Sequence, residues 1–106
     1  MPRLSVKLRQ FCDGQDLLRL AYVDGRGYPR AVPVYFVRLG ERFVIGTWND
    51  TTKWQCMQKH PKVGWVIDGG TSSYNYKGVS FWGTAEQVTD QRLHRRAFLA
   101  SAMKYL

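Results

Sequence analysis

The stretch Phe43–Asp68, FVIGTWNDTTKWQCMQKHPKVGWVID, decides how the rest of the chain is read. It reads as a strand over Arg42–Thr47, a polar loop, a helix over about Thr52–Lys59, and a second strand over Lys62–Asp68. Trp48-Asn49-Asp50 breaks the apolar run, and Asp50, Thr51 or Thr52 can each cap the helix start. Lys53 then falls in the first turn, where amides lack partners and the helix dipole favours an anion. Hydroxyls and one lysine at a helix start suit a phosphate. An ordinary capped surface helix has the same sequence, and local evidence alone slightly favours that plainer reading. Trp54 and Met57, with Gln58 near the same face, are expected to lie against a sheet. Pro61 stops the helix, and His60 before it is pushed toward an extended conformation.

Toward the N-terminus, Leu4, Leu8 and Phe11 have helical spacing within a short helix over about Leu4–Asp13, ended by Asp13-Gly14. Leu17–Val23 is an apolar strand, and Asp24-Gly25-Arg26-Gly27 is a hairpin turn. Tyr28–Arg38 is the next strand. Pro29 and Pro33 inside it require an edge position or a bulge. Toward the C-terminus, Gly69–Ser73 is a loop and Tyr74–Thr89 alternates as one long strand that Gly78 and Gly83 let bend. Thr89 or Asp90 caps a last helix, with Leu93, Ala97 and Ala100 as its apolar stripe. Five strands joined by short turns predict a mainly β chain, a small antiparallel barrel with two or three short helices.

The 106 residues make a single domain, 1–106, with 44% hydrophobic and 14% aromatic side chains, enough for a core. No apolar run has the length of a membrane span, and the N-terminus lacks a signal-peptide core, so a cytoplasmic protein without a membrane partner is expected. Cys12 and Cys56 form no CxxC and read as reduced packing residues. Cys56 and His60 lie one helical turn apart, but no second pair of ligands accompanies them, so no metal site is expected. Sixteen Lys and Arg against eight Asp and Glu give a net charge of +8. That charge suits phosphorylated ligands or nucleic acid, or simply a basic surface. Its even spread along the chain weakens the nucleic-acid reading.

Taken together, LRLAYVDGRGYPRAVPVYFV, FVIGTWNDTTKWQCMQKHPKVGWVID and GVSFWGTAEQVTD resemble the pyridoxamine-phosphate-oxidase-like split β-barrel family. The likeness runs over about Leu17–Asp90. It rests on the strand ending at Gly46-Thr47, the Thr52-Lys53 pair, His60-Pro61, and Gly83–Glu86 in their order and spacing. The resemblance implies a small antiparallel split β-barrel and a homodimer that holds FMN between protomers. It implies Arg30, Thr52 and Lys53 at the flavin phosphate, with Thr51 as a further hydroxyl. Gly46 and Thr47 would run along the ring system, Val32, Pro33 and Val34 would pass near it, and Lys77 would stand on the ring or phosphate side. For Arg30 alone, a solvated strand arginine is as good a reading. Trp48 and Trp82 either stack on the ring or pack, with packing favoured.

Two departures from the oxidase pattern matter. Val34 and Tyr35 stand where a second-strand lysine is expected, and the C-terminal strand that grips pyridoxal phosphate has no counterpart before Leu106. Pyridoxamine phosphate oxidation itself is therefore not expected. The implied function is an FMN-binding protein, a flavin-dependent oxidoreductase acting on a small-molecule substrate, with a deazaflavin coenzyme as an alternative cofactor. No catalytic side chain stands out, because the flavin carries the redox chemistry. Two other classes remain: a basic barrel that stacks nucleic-acid bases on Tyr74, Tyr76, Phe81 and Trp82 beside Lys77, and a haem- or flavin-storage protein without turnover.

Overall fold

Leu18, Leu20 and Tyr22 are buried on the first strand, β1 (Leu17–Val23), while Arg19 and Ala21 between them face out. This period-two alternation fixes one face of the sheet as the core face. In the computed structural model, residues 3–47 and 51–106 are described. Asp50 as a cap and Trp48 as a stacking ring lie outside the described residues.

The turn after β1 follows from Asp24, whose carboxylate accepts the N–H groups of Arg26 at 2.9 Å and Tyr28 at 3.0 Å. Gly27 takes φ +85°, a left-handed conformation that a side chain would strain. β2 (Pro29–Leu39) then runs back along β1 in unbroken register from Val23↔Pro29 to Leu17↔Tyr35. β3 (Arg42–Ile45) pairs only with Phe36–Leu39. Among the described residues, the half of β2 that holds Pro29 and Pro33 therefore has a strand neighbour on one side only. The prolines sit at a local edge, and no bulge is needed.

β4 (Lys62–Gly69) lies on the other side of β1, and β5 (Lys77–Thr84) lies beyond it. The antiparallel order is β3-β2-β1-β4-β5. The sheet curls so far that its two ends meet through side chains: the Phe43 and Phe81 rings are 4.9 Å apart, and Trp65 stacks on Phe81 at 5.5 Å. The result is a mainly β half-barrel with three helices, the expected fold class.

β5 is shorter than the long strand the alternation predicts. The Asn75 side chain accepts the N–H groups of Thr71 and Ser72, and this turn draws Tyr74 and Tyr76 out of the ladder. At the other end, the Ala85 N–H donates to the Pro61 carbonyl as the chain leaves the sheet.

α1 (Val6–Asp13) starts at Ser5, whose hydroxyl accepts the Leu8 N–H. α2 (Thr52–Lys59) buries Cys56 and Met57, with Trp54 half-buried, whereas Gln58 is exposed. The helix is thus rolled toward Cys56 relative to the expected face. Cys12 and Cys56 are both free and buried in the core with Leu18, Phe36 and Ile67, as packing residues. α3 (Gln91–Tyr105) is capped by Asp90, which accepts the Arg92 N–H at 2.9 Å, and Leu93, Ala97 and Ala100 are half-buried.

Candidate functional site

Beyond Ile45 the chain leaves the β3 ladder through Gly46 and Thr47 and enters α2 at Thr51. The Thr51 hydroxyl accepts the Trp54 N–H at 3.3 Å and lies 3.0 Å from the Thr47 hydroxyl. This pair of threonines ties the end of β3 to the start of α2. Cys56 and Met57, buried in the core, fix the same helix from its far side. A hollow of about 420 Å³ opens there, lined by Gly46, Thr47, Thr51 and Lys53.

The chemistry of that lining is one-sided. It offers two hydroxyls, an ammonium group and the start of a helix, whose first amides have no intrahelical acceptor, though the Trp54 N–H is already taken by Thr51. Lys53 is half-buried and forms no ion pair among the described residues. Several arginines, by contrast, are paired: Arg9 with Glu41, Arg19 with Asp68, Arg30 with Asp24 and Arg38 with Asp13. A donor-rich cradle with one free cation suits an oxyanion, which it would hold by charge-assisted hydrogen bonds.

Other residues singled out in the sequence stand elsewhere. Thr52 is exposed at the first position of α2. Arg30 is exposed on β2, its guanidinium 3.6 Å from the Asp24 carboxylate. Val32 and Val34 face the core and Pro33 faces out, so these three do not share one surface. Lys77 begins β5 with its ammonium 5.3 Å from the centroid of the Phe11 ring. None of Arg30, Val32, Pro33, Val34, Thr52 and Lys77 is among the described residues lining the hollow.

Two surface features were not anticipated. A second hollow of similar size is lined by Gln91, His94, Arg95 and Phe98 on one stripe of α3. The spacing i, i+3, i+4, i+7 was legible, but the stripe reads as solvated because Arg95 and His94 belong to it. The second feature is the outer sheet face. Registers place Ala31, Ala21, Gly64 and Trp82 side by side across four strands, and Pro33, Arg19, Val66 and Ser80 in the next row. Small side chains thus form a furrow beside Trp82, which is 75% exposed.

Comparisons with known proteins agree on the architecture. The family described as Pyridoxamine 5'-phosphate oxidase matches residues 4–106. The conserved hypothetical protein Rv2991 from Mycobacterium tuberculosis superposes with TM-score 0.88 at 19% identity, over 99% of this chain and 66% of its own. The haem storage protein HutZ from Vibrio cholerae gives 0.65 at 18% identity, over 99% and 84%. The flavocytochrome Anf3 from Azotobacter vinelandii gives 0.68 at 20%, over 93% and 52%. The chain therefore spans about two thirds of the first of these structures and about half of the last. A search of curated proteins returns no match.

Proposed function

From the premise that this chain belongs to the pyridoxamine 5'-phosphate oxidase family, we propose that it binds FMN and serves as a flavin-dependent oxidoreductase. The observation that carries the reading is that the hollow at Gly46, Thr47, Thr51 and Lys53 is lined by residues implicated as flavin contacts from sequence alone. In this reading Lys53 and the first-turn amides of α2 hold the phosphate. The Thr47 and Thr51 hydroxyls orient it, because either can turn its proton toward a phosphate oxygen while it accepts the proton of the other. Gly46 presents backbone without a side chain, leaving room for a ring system alongside. The flavin, when bound, supplies hydride and single-electron chemistry. The protein's task is to position it and exclude water, and a second copy of the chain would cover its open side. A deazaflavin coenzyme offers the same kind of anionic tail to the same cradle.

A second reading, haem binding without turnover, is favoured by the α3 stripe. There His94 offers an imidazole for iron, Phe98 an apolar bed and Arg95 a partner for a carboxylate. One set of titrations separates the two. With FMN, saturable quenching of flavin fluorescence is expected, and Lys53→Ala should weaken binding by about 1–3 kcal/mol. Unchanged affinity in a folded Lys53→Ala protein overturns the phosphate assignment. A Soret band that appears with added haem and is lost in His94→Ala, without FMN quenching, replaces the flavin reading by the haem one.

A further inference from the structure

The outer side of α3 carries a surface that neither the flavin reading nor the fold uses. Residues 92, 96, 99 and 103 follow each other at spacings of four, three and four, which places them on one strip of a helix. The strip is occupied by Arg92, Arg96, Leu99 and Met103, all exposed, with Leu99 at 56% and Met103 at 87%. It runs for about 16 Å along the axis. Phe98 and Arg95, also exposed, flank it. The N-terminal half of the strip is cationic and the C-terminal half is apolar.

The helix is not free to roll and bury this strip. Its opposite side is pegged to the sheet by Tyr105, whose hydroxyl lies 2.6 Å from the Phe36 carbonyl and accepts the Phe36 N–H at 3.0 Å. The Lys104 ammonium adds a bond to the Phe36 carbonyl and sits 3.6 Å from the centroid of that ring. The pegs also keep a partner's groove from wrapping the helix, so only a surface that meets a single strip can use it.

Charge decides what that surface is. Arg92, Arg95 and Arg96 form no ion pair among the described residues, unlike Arg9, Arg19, Arg30 and Arg38. A second copy packed strip to strip would offer these arginines either the same arginines or Leu99 and Met103, and neither supplies an acceptor for them. An anionic interface with an apolar interior matches both halves of the strip. We propose that α3 docks the protein onto anionic phospholipid bilayers, with Arg92 and Arg96 at the headgroups and Leu99 and Met103 among the upper acyl chains. This is surface attachment: among the described residues no helix is long and apolar enough to cross a membrane.

The test is co-sedimentation with vesicles of phosphatidylcholine alone or mixed with phosphatidylglycerol, at low and high salt. Binding is expected to the mixed vesicles only and to fall with salt. The Arg92→Glu/Arg96→Glu protein should bind roughly tenfold more weakly or worse, and Leu99→Ser/Met103→Ser should also lose roughly tenfold. Arg26→Glu/Arg42→Glu, the same charge change at exposed positions away from α3, should retain most of the binding. Circular dichroism establishes that each variant is folded. Absence of binding to mixed vesicles overturns the proposal, as does equal loss in the Arg26/Arg42 control. It is also overturned if Leu99→Ser/Met103→Ser abolishes self-association in sedimentation equilibrium, which would make the strip an interface between copies. Binding to a short single-stranded DNA instead of to vesicles overturns it in favour of nucleic acid.

Discussion

Asp24 shows how one side chain sets local structure and leaves a pH signature. The Tyr28 N–H, then the Arg26 N–H and the nearby Arg30 guanidinium, hold its carboxyl below the usual carboxylate range. Unfolding restores the ordinary value. A group depressed in the folded state contributes stability that is complete above its unfolded pKa and is lost as pH falls through the folded one. Urea midpoints measured against pH should therefore fall more steeply on acidification for the native protein than for Asp24→Asn, which cannot titrate. Parallel curves would show that the turn's hydrogen bonds do not depend on the ionised form. Thr51 is the corresponding residue at the cradle. It caps α2 and touches Thr47 with one hydroxyl, so in the flavin reading the same group would serve both folding and the phosphate.

α3 makes the plainest argument at the level of elements. β1 begins at Leu17, paired with Tyr35, so the backbone groups of Phe36 have no residue of β1 opposite them. The Tyr105 hydroxyl fills that position. It accepts from the Phe36 N–H, and its one proton lies between the carbonyls of Phe36 at 2.6 Å and Asp16 at 2.8 Å. Burial pushes the Tyr105 phenol up and the Lys104 ammonium down, as expected for two polar groups enclosed at this junction. Tyr105→Phe leaves the Phe36 amide without that acceptor and should cost about 1–3 kcal/mol in chemical denaturation. A loss within error would mean that the two carbonyls and the amide are satisfied by water. Little of this was legible in the sequence, because Tyr105 and Phe36 are far apart in the chain and no local pattern joins them. The cradle was legible for the opposite reason. Gly46, Thr47, Thr51 and Lys53 lie within eight consecutive positions, and cap chemistry is local. The engagement of Arg30 with Asp24 is also local, but a strand arginine has several acceptors within reach, and only the register of β1 and β2 selects this one. The strand boundaries around Tyr74 and Tyr76 were misplaced because alternation cannot see that Asn75 closes a turn.

At the scale of the molecule, the outer sheet face bears on whether one chain suffices for the function proposed. Ala31, Ala21 and Gly64 form a shallow furrow across three strands, and Trp82 stands beside it as a ridge. A ridge and a furrow on one face can be self-complementary under a two-fold axis, which would let each chain's Trp82 enter the other's furrow. Charge does not oppose such contact, because Arg19 at the centre of the face is paired with Asp68. The flavin reading needs a second chain to cover the cradle, so the native protein should sediment as a dimer. Trp82→Glu, which places a charge where the furrow must close, should give a folded monomer with weakened FMN binding. Two results would separate the cofactor from the assembly. A native monomer that quenches FMN fluorescence at low concentration would leave the cradle in place and remove the interface. A Trp82→Glu dimer with unchanged flavin affinity would move the interface off this face, because a buried unpaired carboxylate cannot be accommodated against alanine and glycine at little cost.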